Sequence, residues 1–177
     1  MKNRFVFVFS FLMLFPLTGA AQSKIGFFDS NLVMEKLPEV KDVQSQLDIL
    51  SDEWRREIQK MKKELDEKFQ AFRTQQLLYS EEVRRKKEDE IIAMEQKIAE
   101  FQNQKFGVNG ELFTKQSELM KPIQNSIFKA VKLVAEEEKL DYVFDRSSQL
   151  AIFYANPSLD LTEAIIKKIR VTGIDNQ

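Results

Sequence analysis

Apolar residues recur along the middle of the chain at Val43, Leu47, Leu50, Trp54, Ile58, Met61, Leu65, Phe69 and Phe72, with spacings of 4, 3, 4, 4, 3, 4, 4 and 3. The stripe thus repeats every eleven residues. A period of about 3.67 residues per turn predicts a helix that is nearly straight or supercoils slightly to the right. Charged and amide side chains fill most positions between, so the segment reads as a long rod with one apolar seam. It breaks at "QQLLYSEE", where Ser80 can cap a new helix and Glu81 and Glu82 suit the positive end of its dipole. The returning segment carries Ile91, Met94, Ile98, Phe101, Val108 and Leu112 near a heptad seam, which Lys105 interrupts. Two seamed helices with a short connection predict an antiparallel hairpin. From 40 to 79 the outgoing helix would extend roughly 60 Å at about 1.5 Å per residue. A compact domain of this size has a radius of gyration of about 15 Å, so the hairpin must project.

Gly107 and Gly110 fall inside the expected return helix, where they serve either tight helix packing or a hinge at the base of the arm. Beyond them Leu119, Ile123, Ile127, Val131 and Val134 widen the apolar face, which implies burial in a core, and Pro122 predicts a kink. The flanks read differently. "KIGFFDS" suits a short strand, "NLVMEKLPEV" turns the chain, and Pro38 sits well at the first position of a helix. Near the other end "DYVF" and "AIFYA" are apolar on both faces, as doubly covered strands are. Asp160, with Glu163 three residues on, can cap a last amphipathic helix that Gly173 ends. Three short strands leave exposed edges that need cover, so the residues point to a symmetric oligomer. A trimer would close a nine-stranded barrel; a dimer would need other cover. Ile25, Phe27, Val143, Phe144, Ile152 and Tyr154 are the expected barrel and subunit contacts, and Trp54 reads as core near the base of the arm.

The first residues change the picture of where the protein works. Lys2 and Arg4, the apolar run from Phe5 to Leu17 and the small residues "TGAAQ" have the order of a secretory signal peptide with cleavage after Ala21. A spanning helix needs roughly 20 apolar residues, which this run does not reach. The remaining 156 residues carry 25 basic and 28 acidic side chains, a balance unlike that of a general nucleic-acid binder. With no cysteine and no histidine, the chain lacks disulfides, Cys–His and Ser–His nucleophile pairs and the commonest zinc sites. Its carboxylates lie among lysines and arginines in helical patterns, as on a solvated face. No enzyme, no metal and no cofactor is expected.

"KIGFFDSNLVMEKLPEV" after a signal peptide, and "PIQNSIFKAVKLVAEEEKLDYVFDRSSQLAIFYANPSLDLTEAIIKKI" near the other end, resemble the Skp (OmpH-like) family of periplasmic chaperones. In the final fifty residues "LDYVFD", "AIFYAN" and "DLT" fall in the family's order; the hairpin between matches in length and pattern. The resemblance implies an α+β, mostly α fold, in which a long antiparallel coiled-coil arm projects from a small β body closed as a barrel across a homotrimer. It implies an ATP-independent periplasmic holdase that keeps unfolded outer-membrane β-barrel proteins in a cavity between the arms. The corresponding division is a signal peptide over 1–21, a β-containing oligomerisation body from 22–39 and 120–177, and an arm from 40–119 with its tip near 75–82.

The arm residues expected to touch clients are Phe69, Phe72, Leu77, Leu78, Tyr79, Phe101 and Phe106. Seam packing is the alternative for Phe69, Phe72 and Phe101, whereas three adjacent large side chains at a turn, Leu77 to Tyr79, cannot all face inward. Family members tend to be basic, with positive arm tips thought to meet lipopolysaccharide or acidic membrane. Here residues 51–106 balance at 13 basic and 13 acidic. The tip nevertheless holds Lys68, Arg73, Arg84, Arg85, Lys86 and Lys87 against Glu81 and Glu82. That cluster suits a membrane or lipopolysaccharide contact, or a solvated helix start with pairs to Glu88, Asp89 and Glu90. Two other readings are a structural coiled-coil tether without chaperone activity and an efflux adaptor. The adaptor would need larger flanking β domains than the twenty or so residues before the hairpin allow.

Overall fold

A computed structural model describes residues 23–148 and 152–173. The expected signal peptide lies outside the described residues, as does Ala151 at the start of the expected third strand. Strand β1 (Ile25–Phe28) leads into helix α1 (Ser30–Lys36) and the long α2 (Pro38–Gln75). A 3-10 turn over Gln76–Leu78 joins it to α3 (Glu81–Phe106), followed by α4 (Glu111–Glu138), β2 (Tyr142–Asp145), a second 3-10 turn (Pro157–Leu159) and α5 (Thr162–Thr172).

Local chemistry sets these boundaries. The Asp29 carboxylate accepts the Leu32 N–H at 3.0 Å and caps α1. Leu37 is extended, as the residue before a proline prefers, and Pro38 opens α2. Ser80 accepts the Val83 N–H, with Glu81 and Glu82 in the first turn of α3. Lys139 closes α4 in the left-handed conformation (φ 53°), and the Leu140 N–H reaches back to the Ala135 carbonyl at 2.9 Å. Gly173 ends α5 at φ 74°. Thr162 starts that helix; Asp160 accepts the Thr162 N–H at 2.9 Å from just outside, while Leu161 occupies the cap position. Pro122 lies within α4 and does not end it.

The strands pair in parallel, Ile25 with Tyr142 through Phe28 with Asp145. Parallel neighbours require a long crossover, and here the crossover is the entire helical arm. The second edge of β1 is met by the segment before α5, where the Leu161 N–H donates to the Phe27 carbonyl at 2.8 Å and Asp160 forms a single bridge. Among the described residues the outer edge of β2 is left without a strand partner. The strand expected over "AIFYA" is absent from its described part: Ile152–Ala155 form no strand, and Ile152, Phe153 and Tyr154 are exposed. Double cover is likewise missing, because Tyr142 and Phe144 stack on each other on an exposed face. Among the described residues the core takes one face of each strand, Phe28 from β1 and Val143 from β2, and the outer apolar face of β2 has no cover within the chain.

Beneath the sheet one core gathers Phe28, Val33, Leu37, Val43, Leu47, Ile123, Ile127, Ala130, Val134, Ile165, Ile166 and Ile169. It joins β1, α1, the start of α2, α4 and α5, so the elements before and after the arm are packed into one body. A polar lattice locks the strand ends above it. The Asp145 carboxylate accepts the Ser30 N–H at 3.1 Å, the Ser147 N–H at 3.0 Å and the Ser147 hydroxyl at 2.8 Å.

The return helix is not continuous. Gly107 and Gly110 do not lie in it: α3 stops at Phe106 and α4 starts at Glu111. Asn109 sits at φ 60°, and the Gly110 N–H donates to the Gly107 carbonyl at 2.9 Å. A Cβ on Gly107 would lie 2.4 Å from the Asn103 carbonyl oxygen, so glycine is required there. Val108, expected in the seam, is 97% exposed at this turn. The dipeptide Asn109–Gly110 is itself a turn signal, and it outweighs the helical period that runs through it.

Candidate functional site

The arm is built by α2 against α3. Its own small core consists of Ile58, Met61 and Ile98, with Leu65, Met94, Phe101 and Phe106 packed around them. Trp54 meets Phe106 edge to face at 5.8 Å, and Lys68 reaches Glu90 at 3.9 Å, so the helices run antiparallel. Of the expected outgoing stripe, Val43, Leu47, Trp54, Ile58 and Met61 are buried. Leu50, Leu65 and Phe72 are half-buried and Phe69 is exposed, so the seam thins towards the tip.

At the tip the 3-10 turn aims two large side chains into solvent: Leu77 is 96% and Leu78 84% exposed. Tyr79 turns the other way, its ring 6.4 Å from that of Phe72 and its hydroxyl donating to Gln75 Oε1 at 2.7 Å. Of the seven expected contact residues, Phe69, Leu77 and Leu78 are exposed, while Phe72, Tyr79, Phe101 and Phe106 are partly turned into the hairpin.

The tip cations are largely paired. Arg84 and Arg85 both meet Glu81, at 2.6 and 3.4 Å, and Lys87 meets Glu90 at 3.1 Å. The Lys87 hydrogen bond, then the Lys87 charge, with lesser help from Lys68 and Lys86, hold the Glu90 carboxyl below the usual range against an opposing effect of desolvation. The partners are therefore Glu81 and Glu90, with Glu88 and Asp89 in no ion pair among the described residues. Arg73 and Lys86 likewise make no ion pair among them.

Halfway down the arm, Lys105 fills a role that its interruption of the seam signals without revealing. Its side chain is 19% exposed, pairs with Glu111 across the break, and places its ammonium 4.7 Å from the Trp54 ring centre and 5.6 Å from that of Phe101. The cation–π geometry lets a charge sit at a seam position against aromatic neighbours.

On the body, Phe27 is buried and Val143 half-buried within the chain itself, whereas Ile25, Phe144, Ile152 and Tyr154 are exposed. The strand residues expected at subunit contacts thus divide into two that pack in their own chain and four that present apolar surface. Among the described residues no His, Cys, Asp and Glu cluster could hold a metal ion, and no helix is long and apolar enough to cross a membrane.

The sequence matches the family described as outer membrane protein (OmpH-like) over residues 24–169. No curated protein matches it. Among solved structures it is similar to a protein from Caulobacter crescentus CB15 described as an OmpH-like outer membrane chaperone, with 15% sequence identity, a TM-score of 0.73 and 90% of each chain covered.

Proposed function

The chain belongs to the OmpH-like outer membrane protein family, and from that premise we propose that it is an ATP-independent holdase chaperone of the periplasm. It binds unfolded outer-membrane β-barrel proteins between the helical arms of a homotrimer and keeps them from aggregating. The observation that supports this most is the arm tip, where Leu77 and Leu78 stand in solvent with nothing among the described residues to cover them. A projecting arm with a thinning seam offers weak, non-exclusive apolar contact. Burial is worth about 25 cal/mol per Å², so several hundred Å² supplies a few kcal/mol per arm before ordering costs. Three arms acting on one client raise retention without any tight individual site. The exposed Ile25, Phe144, Ile152 and Tyr154 are the surface we assign to subunit contacts.

Light scattering on the mature chain, alone and mixed with a urea-diluted outer-membrane β-barrel protein, tests this. The full chain has a mass of 20.8 kDa for 177 residues. Three chains without the first 21 residues then come to about 55 kDa. A species of that mass holding one soluble client is expected. A monomer or dimer beside an aggregated client refutes the reading and leaves the structural tether.

A further inference from the structure

The arm's packing is interrupted at one level. The body core ends with Leu47 on α2 and with Leu112 and Leu119 on α4; the arm core begins with Ile58 and Phe106. Trp54 is buried between them, 8% exposed, and belongs to neither cluster. The two sides of the hairpin also fall out of step here. Trp54 contacts Phe106, and Leu47 shares a groove with Leu119. Between those levels α2 advances seven residues, 54 to 47, while the returning chain uses thirteen, 106 to 119. The surplus forms the turn at Gly107–Gly110, with its left-handed Asn109.

The Lys105–Glu111 ion pair spans that turn, and the same ammonium lies over the rings of Trp54 and Phe101. One cation therefore ties α3, α4 and α2 together between the two core clusters, beside the buried Trp54. We infer that the α3–α4 break is a joint in the arm, and that the Lys105 ammonium, held between the Trp54 ring and the Glu111 carboxylate, is the latch that keeps it closed. Opening it separates the foot of α3 from α2, uncovers Trp54 and Phe106, and leaves α2 as the unbroken strap about which the outer arm bends. Because Glu111 is far more exposed than Lys105, the ion pair is the part of the latch that salt weakens. The device uses the residues of one chain and stands independently of the chaperone reading.

Trp54 is the only tryptophan in the chain, so its fluorescence reports on the joint directly. The test is acrylamide quenching of the full mature protein and of Glu111→Gln and Lys105→Met, with hydrogen exchange followed in parallel. Raising NaCl from about 0.05 to about 1 M shortens the Debye length to about 3 Å. In the wild type this should raise the quenching constant about twofold and speed exchange at residues 107–114, while residues 47–58 stay protected. Glu111→Gln should show at low salt what the wild type reaches at high salt. Lys105→Met, whose apolar stem can remain over Trp54, should be insensitive to salt. Quenching of the wild type that ignores salt overturns the latch. So does exchange that accelerates equally in both segments, which would mark global loosening, and neither result depends on a variant folding.

Discussion

Replacing Leu77 and Leu78 together by serine separates the holding surface from the fold. Both side chains are almost wholly in solvent, so the native state loses almost no packing when they shrink. Surface changes of this kind stay within about 0.5 kcal/mol. A bound client changes the balance. Full burial of a leucine is worth about 1.5–3 kcal/mol, so half-burial against a client gives about 1 kcal/mol each and about 2 kcal/mol per arm. Ordering the mobile client takes back part of this. What remains, about 1.4 kcal/mol, corresponds to tenfold in the dissociation constant. The double variant should therefore hold a urea-diluted outer-membrane protein about tenfold more weakly, or more if all three arms engage. Its thermal midpoint should match the wild type within a degree or two. The assay is a titration of client retained in solution against chaperone concentration, beside a melting curve. Client retention unchanged within twofold would refute the assignment of the tip as the holding surface. A midpoint lowered by many degrees would refute the premise that the leucines carry no structural load.

The same logic predicts opposite behaviour inside the body. Ile165 is fully buried in the core shared by the elements before and after the arm, so Ile165→Ala should cost about 2–5 kcal/mol in urea unfolding. Gly107→Ala forces a Cβ against the Asn103 carbonyl and should cost about 1–3 kcal/mol, with faster hydrogen exchange concentrated at the end of α3. Burial alone would raise the Asp145 carboxyl, but hydrogen bonds from Ser30 and Ser147 outweigh it and hold the group below the usual range. A depressed folded value means stability that is present above the unfolded value of about 3.9 and lost as pH falls through the folded one. Asp145→Asn should therefore be less stable than wild type at pH 7, with the difference shrinking below about pH 4 in urea titrations.

How much of this was legible in the sequence depends on whether one chain contains the physical partner of each pattern. The outgoing stripe from Val43 to Met61 was readable because α3 and α4 of the same chain bury it, and Pro38 and Ser80 mark helix ends through local backbone chemistry alone. The stripe overreached at Phe69, where it continues by spacing although little remains opposite to bury it. The return helix was misread for a different reason. A heptad count steps over Gly107–Gly110 without registering that Asn109–Gly110 favours a turn, and Lys105 looked like a defect because the acceptor ring, Trp54, lies 51 positions away. Cation–π placement needs a partner that periodicity cannot supply.

The strands show the limit most clearly. "DYVF" and "AIFYA" are both short, aromatic and apolar on two faces, yet one pairs with β1 and the other has no strand in its described part. The difference lies in neighbours. Through the arm and α4, β2 returns beside β1, and the segment before α5 takes the other side with the Leu161 N–H. Both edges of β1 are then taken, and among the described residues Ile152–Ala155 pair with no strand. Aromatic side chains as exposed as Phe153 and Tyr154 are consistent with a surface completed by another copy, which is where the proposed trimer and the unpaired edge of β2 meet. If that is their role, mixed serine substitution at Phe153 and Tyr154 should lower the mass seen by light scattering while leaving the helical content of each chain in place. Unchanged mass would assign these rings to something other than assembly.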